Sequence, residues 1–117
     1  MANETIYNLE ERTFVFARDC RLFLKKLNKS ICNIEDAKQL VRSSGSIGAN
    51  YIEANEKLGD KDFLFRLKIA RKEAKESKYW LRLIKSTNEE HSYNIEILIM
   101  EVEELRKILS AIINKVQ

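Results

Sequence analysis

The chain contains no proline and only three glycines in 117 residues. Folds built from many short strands need such residues at their turns, so little room is left for a turn-rich β fold and long helices are favoured. Cys20 and Cys32 are too few for a disulfide framework and lack CxxC spacing, so reduced thiols in the cytosol are expected. The single histidine, His91, has no Cys or His neighbour, and no metal site is expected. No stretch approaches the ~18 unbroken apolar residues of a membrane span. The first residues lack a basic start followed by an apolar run, so no signal peptide is expected. A GxxxxGK[ST] phosphate loop and a nucleophile–base pair are also missing. The expectation is therefore a protein without enzymatic activity or cofactor.

What remains is rich in Glu, Lys, Leu, Ile and Ala, the composition of long helices. One domain spanning 1–117 with a modest core fits this length. Four segments carry the helical repeat. The first shows Phe16, Cys20, Phe23 and Leu27, widened by Ala17 and Leu24. The second shows Ala37, Leu40, Val41, Ser44, Gly48, Tyr51, Asn55 and Leu58. The third is Phe63, Leu67, Ala70, Ala74, Ser77, Leu81 and Ile84, in strict four-three steps. The fourth is Ile95, Leu98, Val102, Leu105, Leu109, Ile112 and Val116. Strict spacing of this kind favours near-parallel packing at shallow angles. Asn33 is the expected cap of the second helix and Asp60 of the third, with Gly59 at the corner between them. Ser92 or Asn94 opens the fourth. The expected fold is all-α, an antiparallel up-down-up-down four-helix bundle.

More apolar residues are present than one stripe per helix requires. Phe65, Ile69, Trp80 and Leu83 widen the apolar arc of the third helix to roughly 200° at 100° per residue. Leu9, Phe14, Val15 and Leu22 do the same in the first helix, and Ile97, Ile99, Ile108 and Ile113 in the fourth. One reading is a wide core; the other is a subunit interface, since a monomer rarely exposes so large a patch. The small residues Ser44, Gly45, Gly48 and Ala49 allow close helix approach, either within one bundle or between subunits. Arg42, Ser46, Asn50, Glu53 and Lys57 form a polar strip with i,i+4 pairs. With Glu73 of the third helix, Arg42, Asn50 and Glu53 are candidates for a polar network between subunits that fixes their register, the alternative being a solvated face with ordinary ion pairs.

Charge is unevenly distributed. From Lys61 to Lys85 nine basic residues face three acidic ones, whereas from Glu89 onward six acidic residues face three basic ones. Lys68, Arg71, Lys72, Lys75, Lys78, Arg82 and Lys85 fall within about 140° of one helical face. Such a stripe can follow phosphates through counterion release, with flexible lysines suited to backbone contact. The alternative is a solubilising helix face whose lysine stems cover apolar neighbours. Tyr79, at the edge of the stripe, and Trp80 could stack on bases, although Trp80 also suits a core or interface position.

Several of these segments together resemble a known family. They are R-S-x-x-S-I-x-x-N-x-x-E-A at Arg42–Ala54, D-F at Asp62–Phe63, I-A-x-x-E-A-x-E-x-x-Y-W-L at Ile69–Leu81, and R-T-F-x-F-A at Arg12–Ala17. The combination resembles the four-helix-bundle proteins encoded in intervening sequences of bacterial large-subunit ribosomal RNA. That family is similar to the accessory proteins of diversity-generating retroelements. The resemblance implies a ring-like homo-oligomer with pentamer preferred. It also implies RNA contact, and a reverse transcriptase or another protein as partner. The functional expectation is a non-catalytic cytoplasmic scaffold holding RNA or another polyanion through the third helix. A protein–protein interaction module without nucleic acid is the competing expectation.

Overall fold

Two asparagines from opposite parts of the sequence form the polar centre of one end of the molecule. Asn33 donates to Asn88 Oδ1 at 3.0 Å, and Asn88 donates to Asn33 Oδ1 at 2.9 Å. Their remaining donor hydrogens go to the Asn28 carbonyl at 2.9 Å and the Ile84 carbonyl at 2.8 Å. Burying an amide is costly unless its hydrogen bonds are made, and here both amides are satisfied.

These residues belong to a computed structural model that describes residues 8–56 and 58–117. Four helices account for most of it: α1 (Leu9–Leu24), α2 (Ile31–Asn55), α3 (Asp60–Thr87) and α4 (Ser92–Val116). A short 3-10 turn, Glu89–His91, joins α3 to α4. No strand occurs among the described residues. At 1.5 Å per residue α3 is about 42 Å long, which matches the longest dimension of the molecule, 44 Å. No helix among the described residues is long and apolar enough to cross a membrane.

The helix starts follow local chemistry. Asn8 caps α1 by accepting from Glu11 N at 3.3 Å, and Ser30 caps α2 by accepting from Asn33 N at 3.1 Å. Ser30, not Asn33, therefore opens α2; Asn33 is drawn into the core by its bond to Asn88. Gly59 is the N-cap of α3 at φ 147°, a conformation that disfavours a side chain, and Asp60 is the first helical residue rather than the cap. Ser92 begins α4 as expected, after the 3-10 turn.

The core contains Phe16, Leu40, Ile47, Leu67, Leu81, Ile84, Ile95, Leu105 and Leu109, among others. On α2 the buried line runs Asn33, Leu40, Ile47 and Ala54, a seven-residue repeat lying beside the expected one. Leu58, expected in the core, is 81% exposed, and Val116 at the far end of α4 is exposed as well. Both lie beyond the last turn where a neighbouring helix covers the stripe. The surplus apolar residues divide. Leu9, Ile99 and Ile113 are buried, so the wide-core reading holds for them, whereas Phe14, Leu22, Phe65 and Ile97 remain exposed.

Side-chain bonds join the helices in order. Glu10 accepts from Asn55, and Arg21 donates to Ser44, between α1 and α2. Ser43 and Ser77 meet at 2.8 Å between α2 and α3. Arg71, Lys78 and Lys85 reach Ser110, Glu103 and Glu96 on α4. Arg12 grips Glu101 with two bonds of 2.8 and 3.0 Å, tying α1 to α4. Hydrogen bonding to Glu101 is the main reason the Arg12 pKa lies above its ordinary value.

Candidate functional site

The basic face of α3 is divided by its neighbour α4. Lys78 Nζ lies 3.4 Å from Glu103, and Lys85 Nζ lies 2.7 Å from Glu96. Arg71 turns the same way and donates weakly to Ser110 at 3.5 Å. The acidic segment inferred from the sequence is therefore packed beside the basic one, and it neutralises the edge of the stripe it touches. Glu103 is bonded by Arg106 at 2.7 and 3.2 Å and by Lys78. The Arg106 hydrogen bonds foremost hold its carboxyl down at about 2.

Lys68, Lys72, Lys75 and Arg82 remain exposed and form no ion pair among the described residues. They follow four-three spacing along one line of α3 and span about 21 Å from first to last at 1.5 Å per residue. Tyr79 lies within the same line, 53% exposed, its ring set edge-on against Trp80 with centroids 5.2 Å apart. Trp80 packs partly against the core. Beside the line, Lys78, Arg82, Lys85 and Ser86 share an open cleft of about 500 Å³ with Glu89 and Glu96.

The small-residue patch serves the protomer first. A Cβ on Gly48 would sit 2.8 Å from Thr13 Oγ1 and 3.2 Å from Thr13 Cβ, so α1 and α2 approach closely at Gly48. A Cβ on Gly45 would meet only the tip of Arg21, at 3.2 Å. Ser44 is buried, whereas Ala49 is exposed. Gly45, Gly48 and Ala49 floor a mostly apolar groove of about 490 Å³ between α1 and α2, walled by Phe14, Ala17 and Ile52.

The structure does not join the polar strip of α2 into a network within the protomer. Asn50 donates to the carbonyl and hydroxyl of Ser46 on its own helix, and Glu53 is exposed. The expected Glu53/Lys57 pair lies outside the described residues. Arg42 acts on Glu73 through space without a hydrogen bond. Glu73 is 9% exposed, and burial, reinforced by Glu76, raises its carboxyl pKa against the opposing effect of Arg42. Its Oε1 has no hydrogen-bond partner among the described residues. The buried atoms Arg66 Nε and Trp80 Nε1, also on α3, likewise have none among the described residues. Phe65 is 58% exposed and Ile69 half-buried on the same shoulder.

Both cysteines are free. Cys20 is buried and its thiol is pushed up to about 12 by desolvation, so it acts as a small apolar side chain, whereas Cys32 is exposed. His91 lies in the 3-10 turn with its ring edge-on to Phe23 at 5.6 Å.

The four-helix architecture agrees with the comparisons with known proteins. Residues 7–111 match the family described as 23S rRNA-intervening sequence protein. The chain belongs to this family. Among solved structures, a protein of unknown function from the S23 ribosomal protein family of Bacteroides thetaiotaomicron is similar. It is 31% identical, with a TM-score of 0.79 over 89% of this chain and 96% of the other. No curated protein matches. In this intervening-sequence protein, Ser43, Ser77, Asn33 and Asn88 were missed as a buried polar pairing. Asn33 stands seven residues before Leu40, and Asn88 four after Ile84, so both continue core rows. That spacing was the available signal.

Proposed function

We propose that this intervening-sequence protein is a non-catalytic scaffold that holds RNA through α3. The observation that carries the reading is the row Lys68, Lys72, Lys75 and Arg82, four exposed cations without counter-charges among the described residues. Unpaired cations on a straight, rigid rod present a surface that phosphates can occupy with release of counterions. Lys78 and Lys85 contribute less, because a phosphate would have to displace Glu103 and Glu96. The descending order of bonded partners from helix to helix supports an up-down-up-down bundle. The exposed Phe14, Leu22, Phe65 and Ile97 support assembly into a homo-oligomer, which we read as a closed ring with five copies preferred. In a ring the row is repeated once per copy, and linked sites raise the apparent affinity well above that of one. The reading assigns no reaction to the chain and places it in the cytoplasm.

The test is fluorescence anisotropy with a labelled fragment of structured 23S ribosomal RNA at low salt. Wild type should bind. The combined variant Lys68→Glu, Lys72→Glu, Lys75→Glu and Arg82→Glu, all at exposed positions, should lose binding by roughly a hundredfold or more. A wild type that leaves anisotropy unchanged at low salt refutes the reading and favours a module that binds only protein.

A further inference from the structure

The basic row of α3 is interrupted by one ring. Lys68, Lys72 and Lys75 advance in four-three steps, Tyr79 takes the next place in that spacing, and Arg82 then resumes the charge. All five are exposed, Tyr79 by 53%. A row that only solubilised its helix would gain nothing from an aromatic side chain at that place. A row that meets nucleic acid gains a platform, because every base has a face that stacks on an aromatic ring. The ring of Tyr79 is also held in position. It stands edge-on to Trp80, with centroids 5.2 Å apart and planes at 75°, and Trp80 is itself packed partly against the core. A ring already fixed loses little freedom when a ligand stacks on it. Phe65 is exposed nearer the start of α3, but it has no ring partner among the described residues and stays with the assembly proposed above.

The charges around Tyr79 suit one nucleotide. Lys75 stands four residues before it and Arg82 three after, about 6 and 4.5 Å along the helix axis. Neither forms an ion pair among the described residues. Both side chains are long, and they flank the ring where the phosphates on either side of a splayed base would lie. Glu76 also stands one turn from Tyr79, but it is half-buried and lies toward Glu73, whose carboxyl pKa it helps to raise.

We infer that Tyr79 stacks on an unpaired base of RNA while Lys75 and Arg82 take the phosphates on either side of that base. The inference rests on the RNA binding proposed above and specifies the form of RNA that α3 reads: a single strand, a loop or a bulge. In a duplex the base faces are stacked on one another and closed to a side chain, so a duplex meets only the cations of the row. An unpaired stretch meets the cations and the ring together. The lysines cannot supply this distinction by themselves, since counterion release is stronger on the duplex, with its higher charge density.

The test is fluorescence anisotropy on the full chain with two probes at one low salt concentration. One is a labelled RNA of about twelve nucleotides without self-complementarity, and the other is the same RNA annealed to its complement. Circular dichroism verifies folding, which Tyr79→Ala should keep because the position is exposed and alanine favours a helix. Tyr79→Ala should weaken binding of the single strand roughly tenfold and leave the duplex within about twofold of wild type. Tyr79→Leu, which keeps an apolar contact with Trp80 but has no ring, should lose the single strand in the same way. Tyr79→Phe should keep it. Alanine and leucine variants that hold the single strand as wild type does overturn the stacking. So does an equal loss on both probes, which would mean that the ring acts on the row and not on a base. A wild type that binds the duplex but not the single strand overturns this inference and leaves the RNA reading standing. A wild type that binds neither probe overturns both.

Discussion

Thr13 brings α1 close to α2, and it does so against a glycine. Its hydroxyl donates to the Leu9 carbonyl at 2.6 Å, which fixes its orientation on α1. A methyl group on Gly48 would press on both Thr13 Oγ1 and Cβ, and Thr13 cannot turn aside without losing that bond. Gly48→Ala should therefore destabilise by about 1–3 kcal/mol, the range for overpacking, even though alanine is the better helix former. Gly45→Ala meets only the mobile end of Arg21 and should be neutral or stabilising by up to about 1 kcal/mol. Thermal melts of the two variants check this pair, and equal melting temperatures would show that the contact at Gly48 is soft. That a glycine inside a helix marks a close approach was legible in the sequence. Which of two glycines does so was not, because the answer depends on the side chain facing each one from another helix.

At the scale of whole helices, the four-three repeats of α3 and α4 located the buried rows well. Ala70, Ala74, Ser77, Leu81 and Ile84 are buried as read, and so are Ile95, Leu98, Val102, Leu105 and Leu109. On α2 the row was read one step aside, through Gly48 and Leu58 instead of Ile47 and Ala54. Small residues surround the true row there, so hydrophobicity alone left its axis loosely fixed. The ion pairs between α3 and α4 were not legible either, because they depend on the register of two helices rather than on spacing within one. That register has a consequence for acid stability. The Glu103 carboxyl is held at about 2 in the folded chain against an ordinary 4.5. A lowered pKa stabilises the folded state above 4.5, and that contribution is lost as pH falls toward 2. The group is partly exposed and solvent screens it, so Glu103→Gln should cost about 0.5–1 kcal/mol near neutral pH. The variant and wild type should converge in melting temperature near pH 2. A difference that persists undiminished at pH 2 would mean that packing of the side chain, not its charge, is responsible.

For the molecule as a whole, the modest net charge of +3 conceals a sorted surface. Helix α4 takes up Lys78 and Lys85 at its seam with α3, while Lys68, Lys72, Lys75 and Arg82 remain exposed and form no ion pair among the described residues. This sorting makes a quantitative statement about polyanion binding. Each phosphate-bound cation on duplex nucleic acid lowers the slope of log K against log salt by about 0.9. The four cations of this row give a slope of about −4, whereas the full stripe of seven would give about −6. Titrating salt in the anisotropy assay at fixed protein concentration, with a duplex RNA and the slope divided by the number of copies bound, separates these values. A slope near −6 would mean that phosphates displace Glu103 and Glu96. Glu96→Gln, which releases Lys85 from its partner at 2.7 Å, should then leave the slope unchanged. If α4 instead withholds these lysines, Glu96→Gln should steepen the slope by about one unit per copy. The direction of that change thus reports whether the acidic helix holds its neighbour's charge back or yields it when RNA arrives.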